Sequence, residues 1–251
     1  MSGDLTIWKA ARLAALTAAD GWMNLTDRVP IAPGSQSVGR ASGNTVVISA
    51  GPAHLGVLTY ADKGGVFQLP GGAVMPFVAG PDAPPQMIIA GLLLELHDDG
   101  HETALRVRDL SLSRRVHLGY FPADPAWIIC AEWRAVPEPR HLTIAQKGGG
   151  AISVELTHSA LFRHAGHAIA LLATHRKAGK PMFVIRDATS GKETYAASRF
   201  LFGEDIAGDQ ITLDFNRAFN PPCAFTDFAI CPLPPRSNIL PFAVRAGETW
   251  P

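Results

Sequence analysis

Two stretches toward the C-terminal end concentrate the residue types that do chemistry. The first holds Arg186, Asp187, Thr189, Ser190, Thr194, Tyr195 and Arg199. Asp187 through Gly191 is a turn sequence, in which Asp, Ser and Thr side chains bond the local backbone. Thr194, Tyr195 and Arg199 are expected on the strand that follows. Two arrangements fit these residues. One is a polar hairpin fixed by a buried ion pair, such as Asp187 with Arg199. The other is a pocket wall whose hydroxyls and guanidinium hold an anionic or carbonyl-bearing ligand.

The second stretch holds Asp214, Asn216, Arg217, Asn220 and Cys223 and leads into a proline-dense segment. With Leu213 and Phe215 facing the core, Asp214 and Asn216 share the opposite face. A carboxylate beside an amide can orient a water, bind a cation or cap a loop. Arg217 must either pair with a carboxylate, Asp187 or Asp214, or await an anion through its planar donor set. Ligand binding is the expectation here. The expected ligand set is Asp187, Thr189, Ser190, Tyr195, Arg199, Asp214, Asn216, Arg217, Asn220 and Cys223, with no catalytic role assigned among them.

Other chemistries fit less well. Cys223 and Cys231 each neighbour a proline, but they lack the tight spacing and second ligand pair of a zinc site. Two buried thiols, adjacent in space, are expected instead. A nucleophilic Cys223 needs a base, and its own motif supplies none; the histidines are all upstream. His97-Asp-Asp-Gly-His-Glu102 spans a hairpin turn, where exposed polar residues are ordinary. His158, His164 and His167 are expected at the surface. No metal site is expected. There is neither a phosphate-cradling glycine loop nor a dinucleotide fingerprint, so no cofactor is expected either.

The elements that must position these residues are mostly strands. Leu5, Trp8, Leu13 and Leu16 recur at helical spacing, with Asp4 placed to cap the start and Asp20-Gly21 to end the run. After Trp22 short apolar runs alternate with turn residues: Ser37–Arg40, Thr45–Ile48, Leu55–Tyr60 and Val66–Leu69, punctuated by Ser42-Gly-Asn44, Asp62-Lys-Gly-Gly65 and Pro70-Gly-Gly72. Leu92–His97 and Thr103–Arg108 are joined by the tight-turn sequence Asp98-Asp-Gly100. Strands continue at 128–136, 141–145, 152–157, 168–174 and 182–186. The expected fold is mainly β, an antiparallel sandwich or barrel with one N-terminal helix and a long Pro-rich C-terminal loop. One continuous domain over 1–251 is expected. The alternative is a small β subdomain with the helix over 1–80 and a main β domain over 81–251, divided at the Gly- and Pro-rich break between Pro70 and Pro85. The prolines after Asn216 exclude regular structure, so Phe219, Phe225, Phe228, Ile230, Leu233, Leu240 and Phe242 must be buried by an irregular path.

Composition narrows the partners. Lys plus Arg equals Asp plus Glu at 22 each, so no long-range field favours nucleic acid or an anionic membrane. The hydrophobic share of 47% and the charged share of 18% suit a packed globular protein and not a disordered one. The most apolar run, Met87–Leu96, is too short to span a bilayer, which needs about 20 residues. Three cysteines and no signal-peptide pattern point to the cytoplasm. The expected partner is a small molecule, with an anion favoured, and neither nucleic acid nor membrane.

The motifs also carry a resemblance. Arg186–Tyr195, Ser198–Leu201, Leu213–Cys223, Cys231-Pro-Leu-Pro-Pro235, Asn238 and Leu240–Glu248 resemble the bacterial and archaeal family called domain of unknown function 1684. The likeness extends upstream through Gly119–Trp127, Arg108-Asp109 and Gly21-Trp22. Ala196-Ala-Ser198 departs from it, standing where a glycine-containing stretch is expected. The resemblance implies no established activity. A shorter likeness links Val38-Gly-Arg40, Asn44, Val46–Ser49 and Ala53-His54 to the forkhead-associated β-sandwich, without the serine-arginine step before His54. It implies the alternative function, a phosphopeptide-reading interaction module with Arg40 as the anion contact.

Overall fold

The computed structural model describes residues 2–61, 64–80 and 83–250. Asp62 and Lys63 of one expected turn, and Pro81 and Asp82 within the Pro70–Pro85 break, lie outside the described residues. The fold is mainly β, built of antiparallel sheets with one N-terminal helix, as the alternation of short apolar runs and turn residues requires. Contacts divide the chain into two compact units, Met1–Ala11 with His117–Pro251, and Arg12–Val116.

The Arg12–Val116 unit contains two five-stranded sheets. In one, Leu25–Pro30, Thr103–Asp109, Leu92–Asp98, Ala83–Ile89 and Val78–Gly80 follow one another in that order. The other runs Val46–Val47, Gly34–Gly39, Gly56–Ala61, Gly64–Gln68 and Val74–Pro76, with a parallel pairing of Val38 and Val46 at its edge. Leu92 to Leu96 are all buried. Leu92, Leu94 and Leu96 join the apolar cluster with Val38, Leu58, Phe67, Leu105 and Val107. The strand's other face carries Glu95, which accepts from Arg106 at 3.1 Å and Arg108 at 2.8 Å. Both guanidiniums lie over the Trp22 ring, at 5.4 and 5.5 Å. A charge inside a strand is tolerated because it is doubly paired and roofed by an aromatic plane.

The other unit is organised on one larger sheet. Its order is His167–Leu172, Ala151–His164, Ile128–Lys147, Gln210–Asp214, Arg199–Ala207, Lys180–Ile185 and His175–Lys177. The two strands expected at 128–136 and 141–145 are one continuous strand, Ile128–Lys147. Pro137 and Pro139 remove two ladder donors, and the chain responds with a register shift between Ala135 and Arg140 instead of a break. The core of this unit gathers Phe162, Leu171, Phe183, Ile185, Leu201, Ile211, Leu213 and Phe215 under the C-terminal Leu240, Val244 and Ala246.

The N-terminal helix, α1, runs Ser2–Thr17. Trp8 packs against Tyr120 and Phe219, each at 6.4 Å between centroids, and the Lys9 ammonium lies 4.3 Å from the Tyr120 ring centre. Asp4, expected as a cap, is instead inside the first turn and pairs with Arg217. The proline-dense tail is irregular as expected, with one-turn 3-10 segments at Pro222–Ala224 and Arg236–Asn238 and a two-residue strand, Cys231–Pro232, beside Gln146 and Lys147. Phe228 is an exception to the expected burial, at 37% exposure.

The tail threads one tight passage. Gly247 has φ +80°, and a Cβ there would lie 2.3 Å from the Ala218 carbonyl oxygen and 2.9 Å from that of Phe215. Neither backbone atom can move, because Ala218 O accepts from Glu248 N at 2.8 Å. Gly247→Ala is therefore expected to destabilise the protein by about 2–4 kcal/mol, combining left-handed strain with overpacking. Urea unfolding measures it; a loss under 0.5 kcal/mol, the scale of an unremarkable surface change, would show that the passage is not tight.

Candidate functional site

The residues expected to form one ligand shell fall into three separate arrangements, with Asn220 outside all of them. Asp187, Thr189, Ser190 and Arg199 make the first. Arg199 opens the strand Arg199–Ala207 and is 1% exposed. Its Nη2 donates to Asp187 Oδ2 at 2.8 Å and to the Val244 carbonyl at 2.9 Å, and its Nη1 donates to the Ala246 carbonyl at 2.5 Å. The other Asp187 oxygen accepts from Thr189 N at 2.9 Å, Thr189 Oγ1 at 2.6 Å and Val244 N at 3.0 Å. Ser190 Oγ accepts from Asp187 N at 3.2 Å. The turn is therefore local Asp and Thr bonding, as its sequence requires. Beyond each other, the two charges bond the backbone of the tail at Val244, Ala246 and Glu248, while the buried Arg199 Nε has no partner among the described residues. Thr194 and Tyr195, expected on the strand with Arg199, precede it in the turn.

The second arrangement lines a cavity of about 900 Å³. Asp214, Asn216 and Arg217 contribute from the end of the strand Gln210–Asp214 and the 3-10 turn Phe215–Arg217. Asp214 Oδ1 caps that turn, accepting from Asn216 N and Nδ2 at 3.0 Å each. Asn216 also exchanges hydrogen bonds with the backbone of Asp124, both at 3.0 Å. Arg217 pairs with Asp4, with Glu204 at 2.9 Å and with Asp214 at 3.2 Å. Of its two expected partners, Asp214 is present and Asp187 is not. Lys180 donates to Glu204 at 2.9 Å, and Lys9 lies over Tyr120. Asp205 also lines the cavity, with φ +49° at a register shift between Glu204 and Ala207. A bulge of this kind re-aims a side chain. The lining thus holds five carboxylates (Asp4, Asp124, Glu204, Asp205, Asp214) and three cations (Lys9, Lys180, Arg217), and each cation is already engaged.

The third arrangement surrounds Cys223. Tyr195 donates its hydroxyl hydrogen to the Cys223 carbonyl, at 2.8 Å, with the Cys223 sulfur 3.8 Å away. Lys147 Nζ donates to Tyr195 Oη at 2.5 Å and to the Cys223 carbonyl at 3.1 Å. Cys223 N donates to Cys231 Sγ at 3.3 Å, so the two thiols are neighbours, and both are free. The Cys231 thiol, bonding to the Cys223 sulfur, lowers the Cys223 pKa to about 7; Tyr195 and the Lys147 charge act in the same direction, against burial. The same thiol–thiol bond and burial raise Cys231. Burial raises Tyr195, opposed by Lys147. Lys147 was not legible as a partner, since it lies 76 positions from Cys223 and is brought in by the pairing of Lys147 with Cys231.

The remaining expected residues are placed as follows. Asn220 donates its backbone N–H to Glu248 Oε2 at 2.8 Å and its side chain to the Thr249 carbonyl at 3.0 Å. Arg40 is exposed, while Asn44 bonds the Ala41 carbonyl within its own turn and, in the loop after Val46–Val47, the Ala53 carbonyl and the His54 ring. His158 and His164 are half-buried instead of at the surface, the first stacked on Trp133 at 4.7 Å and the second tilted against Trp127 at 4.6 Å. Among the described residues, no group of three or more His, Cys, Asp or Glu side chains could hold a metal ion, and no helix is long and apolar enough to cross a membrane.

Fold and sites together define a mainly β protein whose C-terminal motifs build a buried clamp, an acid-rich cavity and a close pair of thiols. Residues 116–249, just over half of the chain, match the family described as a protein of unknown function, DUF1684, and the chain belongs to that family. The match takes in the C-terminal motifs and Gly119–Trp127, and begins after Gly21-Trp22 and Arg108-Asp109. A solved structure of an uncharacterized protein from Haloarcula marismortui is similar at 32% identity, covering 53% of this chain and 76% of that one, with a TM-score of 0.44. No curated protein matches.

The clamp and the Arg217 network should respond differently to substitution. Arg199→Met leaves the Asp187 carboxylate buried without its cation and is expected to cost about 3–5 kcal/mol. Arg217→Lys keeps a cation among three carboxylates on a side chain 19% exposed, and is expected to cost about 1 kcal/mol or less. Urea unfolding of both variants checks this; equal losses would contradict the division between a sealed clamp and a cavity wall.

Proposed function

We propose that the protein binds a small polar molecule in the cavity beside α1, and that the ligand presents a cationic or hydroxyl-bearing group. The observation that carries this reading is the charge of the lining, five carboxylates against three cations that are all engaged within the chain. A volume of about 900 Å³ lies within the ~300–1,000 Å³ range of small-molecule sites. The sequence-based expectation of an anionic or carbonyl-bearing ligand rested on Arg199 and Arg217, and Arg199 is committed to Asp187 and the backbone of the tail. An anion would have to displace Asp4, Glu204 or Asp214 from the Arg217 guanidinium, whereas an amine or hydroxyl donor meets the excess of carboxylate charge that Asp124 and Asp205 add to those pairs. Asp205 supports the same polarity, because its left-handed backbone at a bulge is a strained placement of an acidic group on the cavity wall.

Calorimetry and thermal unfolding with small polyamines, amino sugars, neutral polyols, dicarboxylates and inorganic phosphate test the proposal. The amine and polyol classes should bind, with a stabilisation of about 2.7 kcal/mol at a hundred times Kd. Asp205→Ala should weaken binding of the amines while leaving the unliganded melting temperature close to wild type. Binding of phosphate or dicarboxylates in preference to amines would overturn the proposed polarity.

A further inference from the structure

The thiol arrangement stands apart from the cavity and has a chemistry of its own. Cys223 lies in the 3-10 turn Pro222–Ala224, and Cys231 begins the short strand that pairs with Gln146 and Lys147. Prolines at 221, 222 and 232 fix both backbones. The pair is 4% and 3% exposed, but Lys147 beside it is only half-buried and is followed by the exposed turn Gly148–Gly150. With both sulfurs this enclosed, the oxidant that suits the site is one of a few atoms.

We infer that Cys223 and Cys231 form a redox-active dithiol, oxidised to an intramolecular disulfide by a small hydroperoxide and returned by an external dithiol, with Cys223 as the attacking sulfur and Lys147 and Tyr195 as its positioning residues. Three features of the geometry support the assignment. The Cys231 sulfur accepts from the Cys223 backbone N–H at 3.3 Å, which puts it against the residue that carries the other thiol. One ammonium and one phenol converge on Cys223. Cys231 opens the two-residue strand that pairs with Lys147, so strand pairing holds the ammonium beside the cysteines. The thiolate is the nucleophile in such reactions, and a lowered thiol pKa beside a lysine is what distinguishes a reactive cysteine from an inert buried one.

The steps balance. The Cys223 thiolate attacks one peroxide oxygen; an S–O bond forms and the O–O bond breaks. The departing oxygen takes a proton and leaves as water, or as the alcohol of an alkyl hydroperoxide. Cys231 then attacks the Cys223 sulfenic sulfur. An S–S bond forms, the S–O bond breaks, and the sulfenic hydroxyl leaves as water with the Cys231 proton. Two thiols lose two electrons and the peroxide gains them. An external dithiol reverses the oxidation by exchange, becoming a disulfide itself.

The test uses the full chain carrying Cys130→Ser, which removes the exposed third thiol. Hydrogen peroxide at one equivalent should remove both remaining thiols together, peptide mapping should find Cys223 joined to Cys231, and dithiothreitol should restore two thiols. Adding Cys231→Ser should stop the reaction at a Cys223 sulfenic acid, which a cyclic dione traps when the oxidised protein is unfolded in its presence. Lys147→Met should slow thiol loss at neutral pH by about three- to tenfold, since one pKa unit is a factor of ten in thiolate. Two results would overturn the inference: both thiols remaining titratable after unfolding despite excess peroxide, or Cys223 passing to sulfinic acid with no cross-link to Cys231.

Discussion

The buried pair of Arg199 and Asp187 is the interaction on which the C-terminal half of the sequence depends. A tail dense in proline cannot make its own ladder, so its backbone groups need partners from elsewhere. Arg199 supplies donors to the carbonyls of Val244 and Ala246, and Asp187 accepts the Val244 N–H. Neither charge could stay so deep alone; each is tolerated because the other, and the tail itself, supplies most of its hydrogen bonds, with only the Arg199 Nε left without a partner among the described residues. The clamp fixes Val244 and Ala246 over the sheet, where they complete the apolar cluster with Phe183, Leu213 and Phe215.

The thiol pair and the acid-lined cavity are both built from the chain around this clamp. Holding the tail in one path places Cys223 and Cys231 in contact and brings both to the end of the strand that carries Lys147. The turn that follows Asp214 is fixed by its own carboxylate and by Asn216, which leaves Arg217 to meet Glu204 and Asp4 at the cavity wall. Polar residues that are close in sequence therefore divide into those that hold the fold and those that face a space a ligand could occupy.

Much of the fold was legible from local pattern. The period-two apolar runs, the Asp98-Asp-Gly100 turn and the amphipathic spacing of Leu5, Trp8 and Leu16 each specify an element through short-range chemistry. The long strand Ile128–Lys147 was less legible, because two prolines read as a terminator unless a bulge absorbs them. The site was legible as a list of residues and not as a geometry. Local Asp and Thr bonding at Asp187–Ser190 follows from the turn sequence. The partners of Arg217 do not, since Asp4 is 213 positions away and Glu204 reaches it only through strand pairing. Glu95, buried among Leu92, Leu93, Leu94 and Leu96, gave no signal of the two arginines across the ladder beyond their period-two spacing, Arg106 and Arg108.

The central claim is that the most polar of the C-terminal motifs is architecture, sealed by the tail it holds. Native-state hydrogen exchange of the Val244 amide tests it most directly, because that N–H donates to Asp187 itself. The account predicts exchange of Val244 and of Thr189 only through global unfolding, with the free energy that urea unfolding reports. Exchange of both amides through a local opening several kcal/mol below the global value, with the sheet amides of Val184 and Leu201 still protected, would show the clamp to be an open polar site and contradict the account.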